Sequence, residues 1–213
     1  MLLYVNGDSH SFGTDAGGPE FSYGRHVATH YNAEFVCDAV PGCSNDRIIK
    51  STLDYLETNT PDLVIVGWST WEREEWEYQG VKYNITASGT DVVPDALKEK
   101  YKQWVIDATI PAVQHHKEEK NHYEIWLLHN ELTHRKIKHL FFNGYSWFHF
   151  INVYNKPKFN WDNNYIDPYN KSMTYYFWLE EHRYRPSNPE FYHYGPDAHR
   201  AWADFLIPYI DNL

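Results

Sequence analysis

Short apolar runs, each closed by a glycine or a polar turn, alternate along the chain with stretches whose apolar positions recur every three to four residues. Leu2-Leu3-Tyr4-Val5 leads into Gly7, Glu34-Phe35-Val36-Cys37 into Asp38, Leu63-Val64-Ile65-Val66 into Gly67, and Leu140-Phe141-Phe142 into Asn143. Runs of this length read as strands buried on both faces. Between them, residues 19–31 read as a helix. Ser44-Asn45-Asp46 offers capping residues for a helix carrying Ile48, Ile49, Leu53 and Leu56. A further helix is expected over 96–110, continuing past Pro111 to 117 with a kink. Others are expected over 123–137 and 198–210.

Strands alternating with helices predict a mainly parallel sheet covered on both faces. In such sheets ligands sit at the carboxyl ends of the strands. The loops that start at Gly7, Ala39, Gly67 and Asn143 should therefore converge. Two segments break the alternation. Residues 68–95, with Gly80, Gly89 and Pro94, read as an irregular insertion over one end of the sheet. Residues 145–189 are aromatic and Asn-rich, and read as irregular with one helix near 173–180. There is no internal repeat and no linker composition, so 1–213 is expected to form a single domain.

Composition narrows the function classes. The net charge of −10 argues against a nucleic-acid partner, which requires a basic stripe. No apolar run is long enough to span a membrane. Met1 leads straight into a strand, with no signal-peptide pattern before it, so a cytoplasmic protein is expected. Cys37 and Cys43 form neither a CxxC pair nor a disulfide framework, and both are read as reduced thiols. Aromatic residues reach 18%, including 9 Trp and 18 Tyr. Many must fill the core. Others suit a sugar- or aryl-binding cleft, because flat rings stack on apolar faces while Tyr OH and Trp NH hydrogen-bond.

Two blocks carry candidate chemistry. Gly7-Asp8-Ser9 ends the first strand. A serine on such a turn exposes its Oγ and presents its own N–H to an oxyanion, with Asp8 holding the turn. Near the other end, Glu190 and His193 are three residues apart. A turn there lets the carboxylate accept from Nδ1–H, leaving Nε2 to take a serine proton.

Together these blocks resemble the SGNH, or GDSL-type, hydrolase superfamily. Gly7-Asp8-Ser9 is similar to its first block. Glu190-x-x-His193 followed by His199-x-x-Trp202-Ala203 is similar to its last, with glutamate where the family has aspartate. Pro41-Gly42-Cys43-Ser44-Asn45-Asp46 looks like the second block, and Asp62-Leu63-Val64-Ile65-Val66-Gly67 like the strand entering the third. More narrowly, residues 44–76 look like GDSL-like proteins carried by tailed bacteriophages, which would place the chain in a host cytoplasm or a virion.

The resemblance implies a three-layer α/β/α sandwich of flavodoxin-like type, with the insertions lying outside the family pattern. It implies a cofactor- and metal-independent serine esterase with Ser9 as nucleophile, His193 as base and Glu190 as orienting acid. The N–H groups of Ser9 and Gly42 would form the oxyanion hole. The third block departs from the family. Ser69 stands where an asparagine amide is expected, and Ser69, Asn45 and Thr70 are the candidate replacements. Losing one oxyanion donor costs on the order of 10²–10³ in rate. Trp68 and Arg73 are expected to contact substrate, Arg73 through an anionic group. The expected substrate is a small-molecule or glycan ester, with an O-acetyl group on carbohydrate foremost and acyl transfer equally compatible.

Two other readings remain at this level. An SGNH scaffold without catalysis would bind glycan or serve as a phage structural component. A metal-dependent phosphoesterase would use Asp8 and His10 of Gly7-Asp8-Ser9-His10 as ligands, though no Gly-Asn-His block accompanies them.

Overall fold

A computed structural model describes residues 1–87, 93–188 and 192–213. Its strands and helices, in chain order, begin with β1 (Leu2–Gly7), α1 (Ser9–Phe12), α2 (Tyr23–His30), β2 (Glu34–Cys37), α3 (Asn45–Leu56) and β3 (Leu63–Trp68). There follow β4 (Glu74–Tyr78), β5 (Val81–Ile85), α4 (Lys98–Asp107), α5 (Pro111–His134) and β6 (Lys138–Asn143). The chain closes with α6 (His149–Val153), α7 (Tyr175–Glu181), β7 (Pro186–Asn188), β8 (His193–Tyr194) and α8 (Pro196–Asp211).

The four apolar runs form one parallel sheet in the order β2-β1-β3-β6. Alternation along each strand divides the core in two. Leu3, Val5, Leu63, Ile65, Leu140 and Phe142 face α2, α7 and α8, where Trp202 and Leu206 meet them. Tyr4, Val64, Val66 and Phe141 face α3 and α5, against Ile48, Ile125 and Leu128. The result is the expected three-layer α/β/α arrangement. The outer edge of β6 is covered by residues 164–166: Phe141 N donates to Asn164 O at 2.7 Å and Ile166 N to Phe141 O at 3.0 Å. A covered edge offers no template for another chain.

Three expectations are corrected. Residues 68–95 are not wholly irregular, because β4 and β5 form an antiparallel hairpin. Its two-residue turn puts both Gln79 (φ 51°) and Gly80 (φ 76°) in the left-handed region, the twist that matches strand pairing. Trp76 and Ile85 of this hairpin pack on Tyr101 and Trp104 of α4. Second, there is no kinked helix through Pro111. The residue before a proline is driven to extended backbone, and Ile110 is extended (ψ 119°), so α4 ends and α5 starts with the proline in its first turn. Third, α5 runs unbroken over 24 residues across the polar stretch 117–122. Glu118, Asn121 and His122 are buried there, each with a polar partner: Ile151 N donates to Glu118 at 2.9 Å, Asn45 to Asn121 at 2.8 Å, and His122 pairs with the Tyr169 hydroxyl at 2.8 Å. Within 145–189, α6 adds a second helix to the one expected near 173–180.

Among the described residues no helix is long and apolar enough to cross a membrane. Cys37 and Cys43 are both free thiols.

Candidate active site

The carboxyl ends of β1 and β3 lie side by side, with Gly7 opposite Gly67. Both positions need a missing side chain. A Cβ on Gly7 would lie 2.1 Å from Ser11 Oγ, and one on Gly67 would lie 2.5 Å from it; Gly7 also has φ +151°. The space so made admits Ser11, whose hydroxyl accepts from Tyr23 OH at 2.7 Å. This packing sets α1 against the sheet end.

Asp8 caps α1, its Oδ1 accepting from His10 N at 3.0 Å. Ser9 is therefore the first residue of a helical turn, where an N–H has no intrahelical acceptor. Among the described residues neither the Ser9 N–H nor the Gly42 N–H has a partner. The loop carrying Gly42 (φ +77°) is held against β1: Val40 N donates to Gly7 O at 3.0 Å and Cys43 Sγ to the same oxygen at 3.3 Å.

The loop after β3 is fastened by a pair of bonds. Asn45 Oδ1 accepts from Ser69 N at 2.8 Å, and Asn45 Nδ2 donates to Ser69 O at 3.1 Å and to Asn121 Oδ1 at 2.8 Å. The Ser69 hydroxyl donates to Asp8 Oδ2 at 3.2 Å. Arg73 Nη1 donates to that Oδ2 at 2.9 Å and to Ser69 Oγ at 2.8 Å. The loop after β6 joins them, with Gly144 N donating to Trp68 O at 2.8 Å. All four strand-end loops thus meet, as expected.

Charge follows this geometry. Burial alone would raise the Asp8 carboxyl, but the nearby His10 ring, the Arg73 guanidinium and its hydrogen bonds hold it below its usual value. Burial pushes His10 down to about 4 against the pull of Asp8. His199 is pushed to about 3, again by burial first. His199 Nδ1 accepts from Tyr23 N at 3.2 Å. That bond fixes His199 as a neutral core residue on α8.

His193 is placed differently. Strand β8 packs against α1, and the His193 ring lies edge-on to His10, 5.5 Å between centroids. Its Nδ1 is 3.3 Å from Asp15 Oδ2. The structure therefore brings Ser9, Gly42, Ser69, Arg73 and the His193 strand to one end of the sheet. Glu190 lies outside the described residues.

Several expected roles change. Trp68 is a core residue: it is fully buried in β3, edge-on to Phe141, and has no face for substrate. Arg73 is directed at Asp8, not held free for an anionic ligand. Both amide hydrogens of Asn45 are taken, so Asn45 is a post for Ser69 instead of an oxyanion donor. The Ser69 hydroxyl is committed to Asp8. Thr70 Oγ1 is buried and has no hydrogen-bond partner among the described residues. Arg73 also bears on the phosphoesterase reading, since a guanidinium stands on the Asp8 carboxylate that a metal would need.

Three features escaped the sequence. Asp15 lies in a Gly-rich loop where a lone aspartate carries no signal of its own. Asn121 sits in a polar helix stretch. Tyr192 directly precedes His193 with left-handed backbone (φ 58°) and half-exposed ring, and that ring lies 6.5 Å from Tyr145, which is also exposed. A bulky side chain at positive φ is an outlier of the kind that collects at functional sites.

No protein-family model matches the sequence, and no curated protein matches it in sequence. Solved structures match in shape. The chain superposes on TesA with a TM-score of 0.54 at 9% identity, covering 100% of this chain and 99% of that one. It superposes on the acetyl xylan esterase AlAXEase with a TM-score of 0.51 at 16% identity, covering 97% and 98%. Est2A, an acetyl xylan esterase of the rumen bacterium Butyrivibrio proteoclasticus, matches at 14% identity and a TM-score of 0.49 over 99% of this chain, which spans 63% of its length. With its parallel four-stranded sheet between helical layers, the chain has the fold of the SGNH hydrolases.

Proposed function

We propose that this protein is a metal-independent serine esterase that removes short acyl groups, foremost O-acetyl groups on carbohydrate. The observation that carries the reading is the pair of N–H groups at Ser9 and Gly42, unpartnered among the described residues, with the helical turn that carries Ser9 packed against the His193 strand. Preorganised donors aimed at a developing oxyanion are the largest single contribution in such chemistry.

In the proposed reaction Ser9 Oγ attacks the ester carbonyl while His193 takes its proton. The N–H groups of Ser9 and Gly42 hold the oxyanion, with the Thr70 hydroxyl as third donor. As the C–O bond to the alcohol breaks, His193 returns the proton to the leaving oxygen. Water, activated by the same imidazole, then releases the acid and restores Ser9. Glu190 was expected on His193 Nδ1, and a carboxylate in that role remains part of the proposal. The carbohydrate preference rests on the exposed rings of Tyr192, which directly precedes His193, and of Tyr145, 6.5 Å from it, and on the likeness in shape to the acetyl xylan esterase AlAXEase. The phage setting rests on the likeness of residues 44–76.

Hydrolysis of p-nitrophenyl acetate, together with fluorophosphonate labelling of Ser9, tests the reading. Activity and labelling should both vanish in Ser9→Ala. A folded protein that neither hydrolyses the ester nor labels would leave the scaffold as a binding module, a reading favoured by the commitment of Ser69 and Asn45 to other bonds.

A further inference from the structure

The loop after α1 returns to the candidate base. Gly13 N and Thr14 N both donate to Ser9 O, at 3.1 and 3.0 Å, and Ala16 N and Gly18 N both donate to Gly13 O at 3.0 Å. Between these bonds stands Asp15, in left-handed backbone (φ 63°) that aspartate tolerates better than most residues. Its position is thus set by hydrogen bonds to the carbonyl of the candidate nucleophile. From there Oδ2 reaches His193 Nδ1 at 3.3 Å.

We propose that Asp15 is the positioning residue that orients His193, so that the acid of the Ser9–His193 pair comes from the loop following the nucleophile. The inference rests on the esterase reading above. Nucleophile and acid then share one backbone module of seven residues, and the base arrives from β8. With Nδ1–H donating to Asp15, the lone pair of the neutral ring is on Nε2, the nitrogen needed to accept the Ser9 proton. When Nε2 has taken that proton, Asp15 faces the imidazolium and stabilises it until the proton leaves with the alcohol.

Among the described residues, two further titratable rings near His193 fit this assignment. His10 is kept neutral by burial, and so is His199, whose ring is bonded to Tyr23 N. The Asp15 side chain is 33% exposed and that of His193 15%. The dependence on the acid should therefore be weaker than in a fully buried triad, where loss of tautomer control costs roughly 10⁴ in kcat.

Three variants decide the matter: Asp15→Asn, Asp15→Glu and Glu190→Gln. They are compared by steady-state p-nitrophenyl acetate hydrolysis and by ¹⁵N-imidazole NMR of His193, with circular dichroism as the check on folding. Asp15→Asn should lower kcat by about 10- to 10³-fold with KM little changed. The His193 tautomer should move from Nδ1–H toward Nε2–H. Asp15→Glu should recover part of both, and Glu190→Gln should do less than Asp15→Asn. A wild-type kcat and an unmoved tautomer in Asp15→Asn would overturn the proposal, as would a full loss confined to Glu190→Gln. Failure of the esterase reading looks different: the wild-type protein itself would neither turn over nor label at Ser9, while the tautomer in Asp15→Asn would still show whether Asp15 holds the ring. Should Asp15→Asn not fold, Asp15→Glu carries the same test, since a lengthened carboxylate alters kcat and tautomer only if the acid holds His193.

Discussion

The Arg73 guanidinium donates to Asp8 Oδ2 at 2.9 Å, and the Ser69 hydroxyl donates to the same oxygen at 3.2 Å. The residue next to the candidate nucleophile is thus a buried anion held by a cation from the next strand-end loop. Removing one partner of such a pair strands the other, which costs about 3–5 kcal/mol when both are buried.

Arg73 is one-fifth exposed, so Arg73→Met should cost somewhat less, about 2–4 kcal/mol. Without Arg73, burial dominates at Asp8, and its carboxyl rises. The double variant Asp8→Asn/Arg73→Met should regain most of the stability. Urea denaturation at pH 7 measures both. A double variant no more stable than Arg73→Met would mean that the pair is not the origin of the loss.

The same relationship shows how much the sequence could disclose. The parallel sheet was legible because each strand is an apolar run closed by glycine or a polar turn, and the glycines are demanded by Ser11. Convergence of the loops followed from topology alone. The partner of Asp8 was not legible, because Arg73 lies 65 positions away among glutamates that offered nearer pairs. The length of α5 was hidden for a related reason. Glu118, Asn121 and His122 are core positions occupied by polar groups, and apolar periodicity cannot register a core residue that is satisfied by a hydrogen bond. The β4–β5 hairpin was missed because its turn is Gln79-Gly80, a weaker signal than Asn-Gly.

Gly7→Ala should abolish the native packing at the first strand end. The added methyl would meet Ser11 Oγ at 2.1 Å and Gly67 O at 2.6 Å, and backbone oxygens do not yield. A loss of at least about 2–3 kcal/mol is expected from overpacking and strained φ together. Gly80→Ala is the control. It too has a positive φ, +76° against +151° at Gly7, but among the described residues nothing lies within 4 Å of a Cβ there, so only the backbone cost remains, about 1 kcal/mol. Equal losses in thermal melts of the two variants would refute the packing argument.

Stability should decline in acid before the carboxylates titrate. Burial holds His10, His122 and His139 at about 4 and His199 at about 3. Unfolding returns each to its ordinary value near 6.5. Between those values the unfolded chain binds more protons, so stability is full above about pH 6.5 and falls as pH drops toward 4. Glu118 works in the opposite sense. Burial lifts it to about 7, against the pull of N–H groups of α6, so its contribution falls as pH rises from about 4.5 to 7. Four histidines outweigh one glutamate, and Tm should fall between pH 6.5 and 4.5. Glu118→Gln can still accept from Ile151 N and should raise Tm at pH 8, with the gain fading by about pH 5. A Tm constant from pH 7 to 4.5 would contradict the histidine argument.

Two aromatic residues separate core from cleft. Trp68 is wholly buried against Phe141, so Trp68→Ala should cost about 3–5 kcal/mol and lower activity only by unfolding the protein. Tyr192 has an exposed ring beside Tyr145 and immediately precedes His193. If a ring on a sugar face contributes as much as an aromatic pair, about 0.5–1.5 kcal/mol, its loss converts to roughly a 2- to 10-fold rise in KM. Tyr192→Ala should show that rise on acetylated oligosaccharide and leave kcat/KM for p-nitrophenyl acetate unchanged, because the small ester has no sugar to stack. Parallel losses on both substrates would instead place Tyr192 in holding His193, through the left-handed turn that its backbone makes into β8.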